Sequence, residues 1–264
     1  MKKAMLIDTS KCTGCRGCQI ACKQWNQLPA EKTYCSGTYE NPSHITGNTW
    51  TKIAFIENEN NGDFKWFFYK QQCMQCEEAS CVNVCPAKAV KETQIGSTYI
   101  DEAILIDKNI CVGCKNCVVA CPFQFCGFSE EKGIVMKCTF CIDRVLQGLK
   151  PACIKSCISG ALQFEDRDKI LDIGKKRIEI LKTNGYLNAC LYGENELGGL
   201  GVISVLLDSP EKFRLPVNPK SATENSLKKW FFGLGTVAIM TILPFWLLFK
   251  KTKENSQTKE EGGN

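Results

Sequence analysis

Residues 111–122 read Cys-Val-Gly-Cys-Lys-Asn-Cys-Val-Val-Ala-Cys-Pro, and the spacing names a chemistry. Three thiolates at i, i+3 and i+6, Cys111, Cys114 and Cys117, can wrap one face of an iron–sulfur cube from a single tight loop, with backbone N–H groups turned toward the sulfurs. The fourth, Cys121, is expected to open a helix that carries its sulfur away to a different cluster, so one such run requires a partner run. The chain holds three more cysteine sets. The first is Cys12, Cys15, Cys18 and Cys22 in the same rhythm, with Lys23 where proline usually follows. The second, Cys73, Cys76, Cys81 and Cys85 before Pro86, has one loop widened by two residues. The fourth in chain order is looser: Cys138 and Cys141, then eleven residues, then Cys153 and Cys157.

A pair-plus-pair spacing also suits a tetrahedral zinc ribbon. Here the second pair is C-x-x-x-C and three ferredoxin-type runs precede it, which favours a fourth cube. Each set is expected to lend its last cysteine to a partner set; spacing leaves open which sets pair. Nineteen cysteines in 264 residues raise the alternative of a disulfide scaffold. Disulfides have no need of this rhythm, so the expectation is metal.

The formal charge of +5 counts every thiol as neutral. Sixteen thiolates around four 2+ cores would leave each site 2− and the loaded chain at about −3. The basic excess therefore reads as compensation for clusters. No Lys/Arg stripe with interleaved aromatics points to nucleic acid. His44 is the only histidine, so the chain alone cannot hold a bis-histidine haem, and no G-x-G-x-x-G follows a strand, which leaves a nicotinamide or flavin site unsupported. Cys35, Cys126 and Cys190 are surplus and read as small buried or partly buried side chains. Arg16 and Lys115 sit inside cluster loops, where they either raise a neighbouring potential or simply face solvent.

The elements that must position these sulfurs are legible in part. Residues 1–11 show no signal peptide and no twin-arginine pair, and read as a first strand over Ala4–Ile7. Alternation over Thr51–Ile56 and Phe64–Tyr69 about Asn61-Gly62 predicts an inserted hairpin. Ile170, Leu171, Ile178 and Leu181 predict an amphipathic helix over 166–184, closed by Gly185, with Lys175, Lys176 and Arg177 on a solvated face. A strand is expected from Val202. Trp230–Phe249 carries no charge over twenty residues between lysine pairs, long enough to span a bilayer as a single helix. The lysines on both sides balance, so they do not orient it.

Taken together these residues resemble the iron–sulfur beta subunit of membrane-bound formate dehydrogenases. The four sets in this order are shared with the electron-transfer subunits of other molybdopterin oxidoreductases. More particular are Cys35-Ser-Gly-Thr-Tyr-Glu-Asn-Pro42 before Trp50, Lys137-Cys-Thr-Phe-Cys-Ile-Asp-Arg144 and Pro151-Ala-Cys153. To these are added Gly185-Tyr186, Tyr192-Gly193 with Gly198-Gly199, and the single C-terminal helix. Cys126, and Ile158 after Cys157, depart from the pattern.

The resemblance implies an α+β protein with two ferredoxin-like modules related by a pseudo-twofold. On that basis four 4Fe-4S clusters are held by Cys12, Cys15, Cys18 and Cys157; by Cys73, Cys76, Cys81 and Cys121; by Cys85, Cys111, Cys114 and Cys117; and by Cys22, Cys138, Cys141 and Cys153. The expected divisions are 1–72 (first cluster loop and inserted hairpin), 73–134 (second module), 135–165 (the set completing the first module), 166–227 (helix and extension), 228–250 (transmembrane anchor) and 251–264 (polar tail). The implied role is non-catalytic: a relay between a molybdenum or tungsten molybdopterin alpha subunit and a cytochrome b gamma subunit. The chain would be anchored once in the inner membrane with its clusters on the periplasmic side, carried across on the catalytic subunit's signal. The alternatives are the same relay in another molybdopterin enzyme, or a free-standing tethered polyferredoxin.

Overall fold

The structure, a computed structural model, describes residues 2–34, 37–60, 63–95, 100–222, 224, 236, 240–246 and 248. The chain falls into two compact units, 1–222 and 223–264.

The first unit is organised on a four-stranded sheet. Its strands are β1 (Lys3–Asp8), β8 (Leu162–Asp166), β9 (Cys190–Tyr192) and β10 (Val202–Leu206), in the order β8-β1-β10-β9. The central pair, β1 and β10, is parallel, and the flanking strands run antiparallel to it. A central parallel pair is covered on both faces and must be apolar at every position rather than at alternate ones. Ala4-Met-Leu-Ile7 meets that demand throughout and Val202-Ile-Ser-Val-Leu206 at all but Ser204, whose hydroxyl pairs with that of Tyr69 at 3.3 Å; all of these residues are buried. The expected first and last strands are both present.

One face of the sheet is covered by α6 (Arg167–Thr183), which buries Ile170, Gly174, Ile178 and Leu181. Its end is a Schellman motif. The Tyr186 amide donates to Leu181 O and the Gly185 amide to Lys182 O, with Gly185 at φ +92°. The basic run on this helix is only partly a solvated face. Lys176 is exposed, but Lys175 pairs with Glu194 at 2.6 Å and Arg177 with the buried Asp8 at 3.2 Å.

The predicted hairpin is found, longer than expected: β2 (Thr51–Asn60) pairs with β3 (Asp63–Gln72) along its whole length. Phe68 lies against the first cluster loop at Gly14, which places the insertion over that loop. Two smaller ribbons, β4 (Val90–Ile95) with β5 (Ile100–Ile106) and β6 (Gly127–Ser129) with β7 (Ile134–Met136), flank the other sets. Short helices complete the unit: α1 (Gly17–Trp25), α2 (Ser80–Asn83), α3 (Asn116–Ala120), α4 (Ile142–Val145) and α5 (Ala152–Lys155). α1 packs on α5 and α2 on α3.

In the second unit residues 240–246 are helical, and Met240, Ile242, Leu243, Phe245, Trp246 and Leu248 are exposed. Most of the expected 228–250 span lies outside the described residues; among the described residues no helix is long and apolar enough to cross a membrane. Cys35 also lies outside them.

Candidate metal centre

Every cysteine set ends in a pair at i and i+4 beside a short helix: Cys18 and Cys22 on α1, Cys81 and Cys85 along α2, Cys117 and Cys121 along α3, Cys153 and Cys157 along α5. Residues so spaced stand about one helical turn apart, a separation that lets one helix present sulfurs to two neighbouring sites. The helix lies between the third and fourth cysteines, which corrects the expectation for Cys121. That residue caps the C-terminus of α3 rather than opening a helix, because the chain turns into α3 earlier, at Lys115. Lys115 has φ +61° and Arg16, before α1, has φ +60°. Gln75, Phe140 and Cys141 share the left-handed region, with φ between 50° and 60°. Such residues turn successive N–H groups inward, the backbone concavity that suits an anionic sulfur site, at a cost in strain.

The inward donors can be named. The Ala89 amide donates to Cys85 Sγ at 3.2 Å and the Phe140 amide to Cys138 Sγ at 3.4 Å. Backbone donors also act on Cys12 from Gly14 and on Cys141 from Ala152.

The structure gathers the sulfurs across sets. One cavity is lined by Cys12, Cys15, Cys18 and Cys157, with apolar walls from Ile7, Ile53 and Leu162 and one buried cation, Lys70. Cys22 lies in the field of Cys138, Cys153 and Cys141; Cys76 in that of Cys73, Cys121 and Cys81; Cys117 in that of Cys111, Cys114 and Cys85. These neighbourhoods join also to one another. Cys18 feels Cys153, Cys138 feels Cys73, and Cys81 feels Cys117. Gln75 strengthens the middle junction, donating to Cys138 O at 3.2 Å and accepting from the Ile104 amide at 2.8 Å. The result is a line of four thiol groups with an exposed sulfur at each end, Cys15 and Cys114. Among the described residues no three Cys, His, Asp or Glu side chains converge closely enough for a single metal ion.

Burial dominates the thiol chemistry. It pushes Cys18 and Cys138 up to about 12 and Cys141 and Cys117 up to about 11, with neighbouring thiolates adding to the shift. Such thiols hold their protons until a cation replaces them, so loading and proton release are coupled. Cys121 is the exception. A hydrogen bond from Cys126 and the amides of Phe125, Phe123 and Gln124 outweigh burial and bring it down to about 6. The donor set therefore fits iron–sulfur cubes: grouped thiols, sulfur-directed amides and an apolar shell.

Of the surplus thiols, Cys126 is buried and Cys190 half-buried, as expected. The loop cations turn to aromatic rings: the Arg16 guanidinium sits 4.7 Å from the Phe55 ring centre, and Lys115 lies 3.8 Å from that of Phe128 and pairs with Glu130. Two other lysines, Lys70 at the end of β3 and Lys137 just after β7, are fully buried among these sulfurs, a placement the sequence does not lead one to expect. Their only signal is a lysine three residues ahead of Cys73, closing an aromatic strand, and another directly ahead of Cys138.

A family model described as a 4Fe-4S dicluster domain matches residues 64–167. The nitrate-inducible formate dehydrogenase iron–sulfur subunit of Escherichia coli is 38% identical over 230 residues, 86% of this chain and 76% of its own length. The formate dehydrogenase-O iron–sulfur subunit of the same organism is 35% identical, over 86% of this chain and 74% of its own. One polypeptide of the Escherichia coli anaerobic dimethyl sulfoxide reductase is 33% identical over a shorter stretch, 62% of this chain and 73% of its own length. Relatives of this identity, matched over about three quarters of their own length, decide the matter: the chain belongs to the family of formate dehydrogenase iron–sulfur subunits.

Proposed function

We propose that this chain is the electron relay of a membrane-bound formate dehydrogenase, drawing on a formate-oxidising molybdopterin subunit and delivering to a membrane cytochrome b and quinone subunit. The observation that carries the reading is the line of thiol groups that runs through the body with an exposed sulfur at each end, Cys15 and Cys114. The names of the relatives, iron–sulfur subunits rather than catalytic ones, support the non-catalytic role. The longer match to formate relatives than to the sulfoxide one favours formate.

We assign the ligands as the neighbourhoods suggest. Cys12, Cys15, Cys18 and Cys157 hold one 4Fe-4S cluster; Cys22, Cys138, Cys141 and Cys153 the next; Cys73, Cys76, Cys81 and Cys121 the third; and Cys85, Cys111, Cys114 and Cys117 the last. Cys157 faces the first loop rather than Cys138 and Cys141, which speaks against a zinc ribbon in the fourth set. Bound there, the clusters supply one-electron carriers. The protein's part is to hold sixteen thiolates in place, aim amides at them and exclude water from the two inner groups.

The exchange of ligands within α1/α5 and within α2/α3 supports two ferredoxin-like modules, one from the first and fourth sets and one from 73–134. The exposed apolar residues Met240, Ile242, Leu243, Phe245, Trp246 and Leu248 support a membrane anchor within 228–250, preceded by the 166–227 extension and followed by the 251–264 tail. The cluster body then lies at the periplasmic face of the inner membrane; protection from added protease in intact spheroplasts would refute that placement. The test of the function is purification from native membranes in mild detergent, followed by assay with formate and a viologen dye. A large subunit with formate activity and a small haem subunit are expected. A large subunit inactive on formate moves the relay to another molybdopterin enzyme, and absence of any partner leaves a tethered polyferredoxin.

A further inference from the structure

Among the described residues the buried cations are Lys52, Lys70, Lys137 and Arg144. Lys52 pairs with Glu40, and Arg144 stacks on Trp25 at 4.2 Å and donates to Lys150 O at 2.7 Å. Lys70 and Lys137 have no carboxylate partner among the described residues. The Lys70 ammonium donates to Gln72 Oε1; the Lys137 ammonium donates to Ile104 O and, at 3.2 Å, to Cys138 O. Neutral oxygens do not balance a buried charge, and an unpaired buried ammonium is normally driven to release its proton.

The sulfurs reverse that outcome. Lys70 lines the cavity of Cys12, Cys15, Cys18 and Cys157 and has Cys153, Cys138 and Cys22 around it, and Lys137 has Cys73, Cys126, Cys81 and Cys138 around it; sulfurs bound as thiolates in a cube supply the negative charge that a buried ammonium needs. The two ammoniums also stand at different junctions. Lys70 faces the first and second groups of the line, Lys137 the second and third, and the second group, Cys22, Cys138, Cys141 and Cys153, faces both. The fourth group has Lys115 nearby, about half exposed and turned to Glu130 and Phe128.

We propose that Lys70 and Lys137 are positioning residues for electron transfer: two buried permanent charges that raise the electron affinity of the interior groups, most of all the second, which lies between them. The physics is local. A one-electron reduction adds one negative charge to a site that is already anionic, and a cation held in a dry interior stabilises that added charge far more than a solvated one.

The inference rests on the ligand assignment above, and its test separates the two. The purified complex is titrated potentiometrically under anaerobic conditions, with cluster signals followed by electron paramagnetic resonance, for wild type, Lys70→Met, Lys137→Met and Lys137→Arg. One signal should move to lower potential in both Met variants, a second only in Lys70→Met, a third only in Lys137→Met, and the fourth in neither. The expected size is a tenfold or greater fall in the reduced-to-oxidised ratio at fixed potential, about 59 mV for one electron. Lys137→Arg should keep the wild-type potentials. Unmoved midpoints in Met variants with full iron content would overturn the inference, as would an equal fall in all four signals, which marks loosened packing. Should a Met variant lose iron, Lys137→Arg at wild-type iron but with shifted midpoints would equally overturn it. A wild-type complex with fewer than four cluster signals would refute the ligand assignment instead and take the inference with it.

Discussion

The knot at Glu40 offers a sharp test of how the insertion is fastened over the first cluster loop. Glu40 and Lys52 are 8% and 1% exposed, and the lysine ammonium donates to the carboxylate and, at 2.7 Å, to Ser43 O. Glu40 has further partners: Arg214 at 2.9 Å and the Phe55 amide at 3.1 Å. The two deletions are therefore unequal. Glu40→Gln leaves Lys52 buried with no counter-charge, a loss of about 3–5 kcal/mol. Lys52→Met fills the space with an apolar stem and leaves Glu40 with Arg214 and an amide, so it should cost about 1–3 kcal/mol. The double variant should cost less than the two singles combined by about 1–3 kcal/mol, since the second change removes a charge already stranded. Hydrogen exchange with mass spectrometry on the loaded complex, read on peptides across 51–58, measures the local opening free energy. Equal losses in the two single variants, or strict additivity, would refute the reasoning.

Other outcomes follow from the same geometry. Lys52 titrates below 10.5 in the folded chain because burial outweighs Glu40. Between that lowered value and 10.5 the unfolded chain binds more protons, so local stability should rise with pH across this window and fall as pH drops through it, and Lys52→Met should flatten the profile. Gly113 has φ +67°, and a Cβ there would stand 2.1 Å from Gly133 O, so Gly113→Ala should abolish the Cys85/Cys111/Cys114/Cys117 signal while sparing the Cys12-loop signal. Cys157→Ser and Cys153→Ser, one helical turn apart on α5, should delete different cluster signals, the first that of the Cys12 loop and the second that of Cys22, Cys138 and Cys141. Loss of the same signal in both would break the ligand exchange. Gly185→Ala, forced into the left-handed region at φ +92°, should destabilise the end of α6 by about 1 kcal/mol in thermal unfolding of the complex.

The elements easiest to read were those whose burial is set by one period. Ala4–Ile7 is apolar at every position, and the run from Val202 at all but Ser204, because both faces of the central strands are covered. The spacing of Ile170, Ile178 and Leu181 mirrors a single contact face, and Asn61-Gly62 marks the hairpin between an alternating run and an aromatic one. The ribbons β4–β5 and β6–β7 leave little trace in the sequence because they are short or flank cluster loops, where ligand geometry outranks periodicity. The i, i+4 cysteine pairs are plain in the sequence, but the helix between them is easily misplaced at Cys121, since the turn into it is made by Lys115, a residue type with no preference for the left-handed region. Lys70 and Lys137 are unreadable for a different reason. A lysine is ordinarily a surface residue, and only the three-dimensional gathering of sulfurs from distant sets accounts for one placed inside.

The central sheet also dictates an order of manufacture. Among the described strands β1 is made first, yet its neighbours β8 and β10 lie about 155 and 195 residues downstream. At roughly 5–20 residues per second the strand waits about 10–40 s for its second partner. Cys12, Cys15 and Cys18 wait almost as long for Cys157, whereas every sulfur from Cys73 to Cys121 emerges within one short window. Until then an apolar strand and three thiols have been made without their partners. Free thiols in that state call for reducing conditions, and the apolar strand for cover, until β10 slides in beside β1.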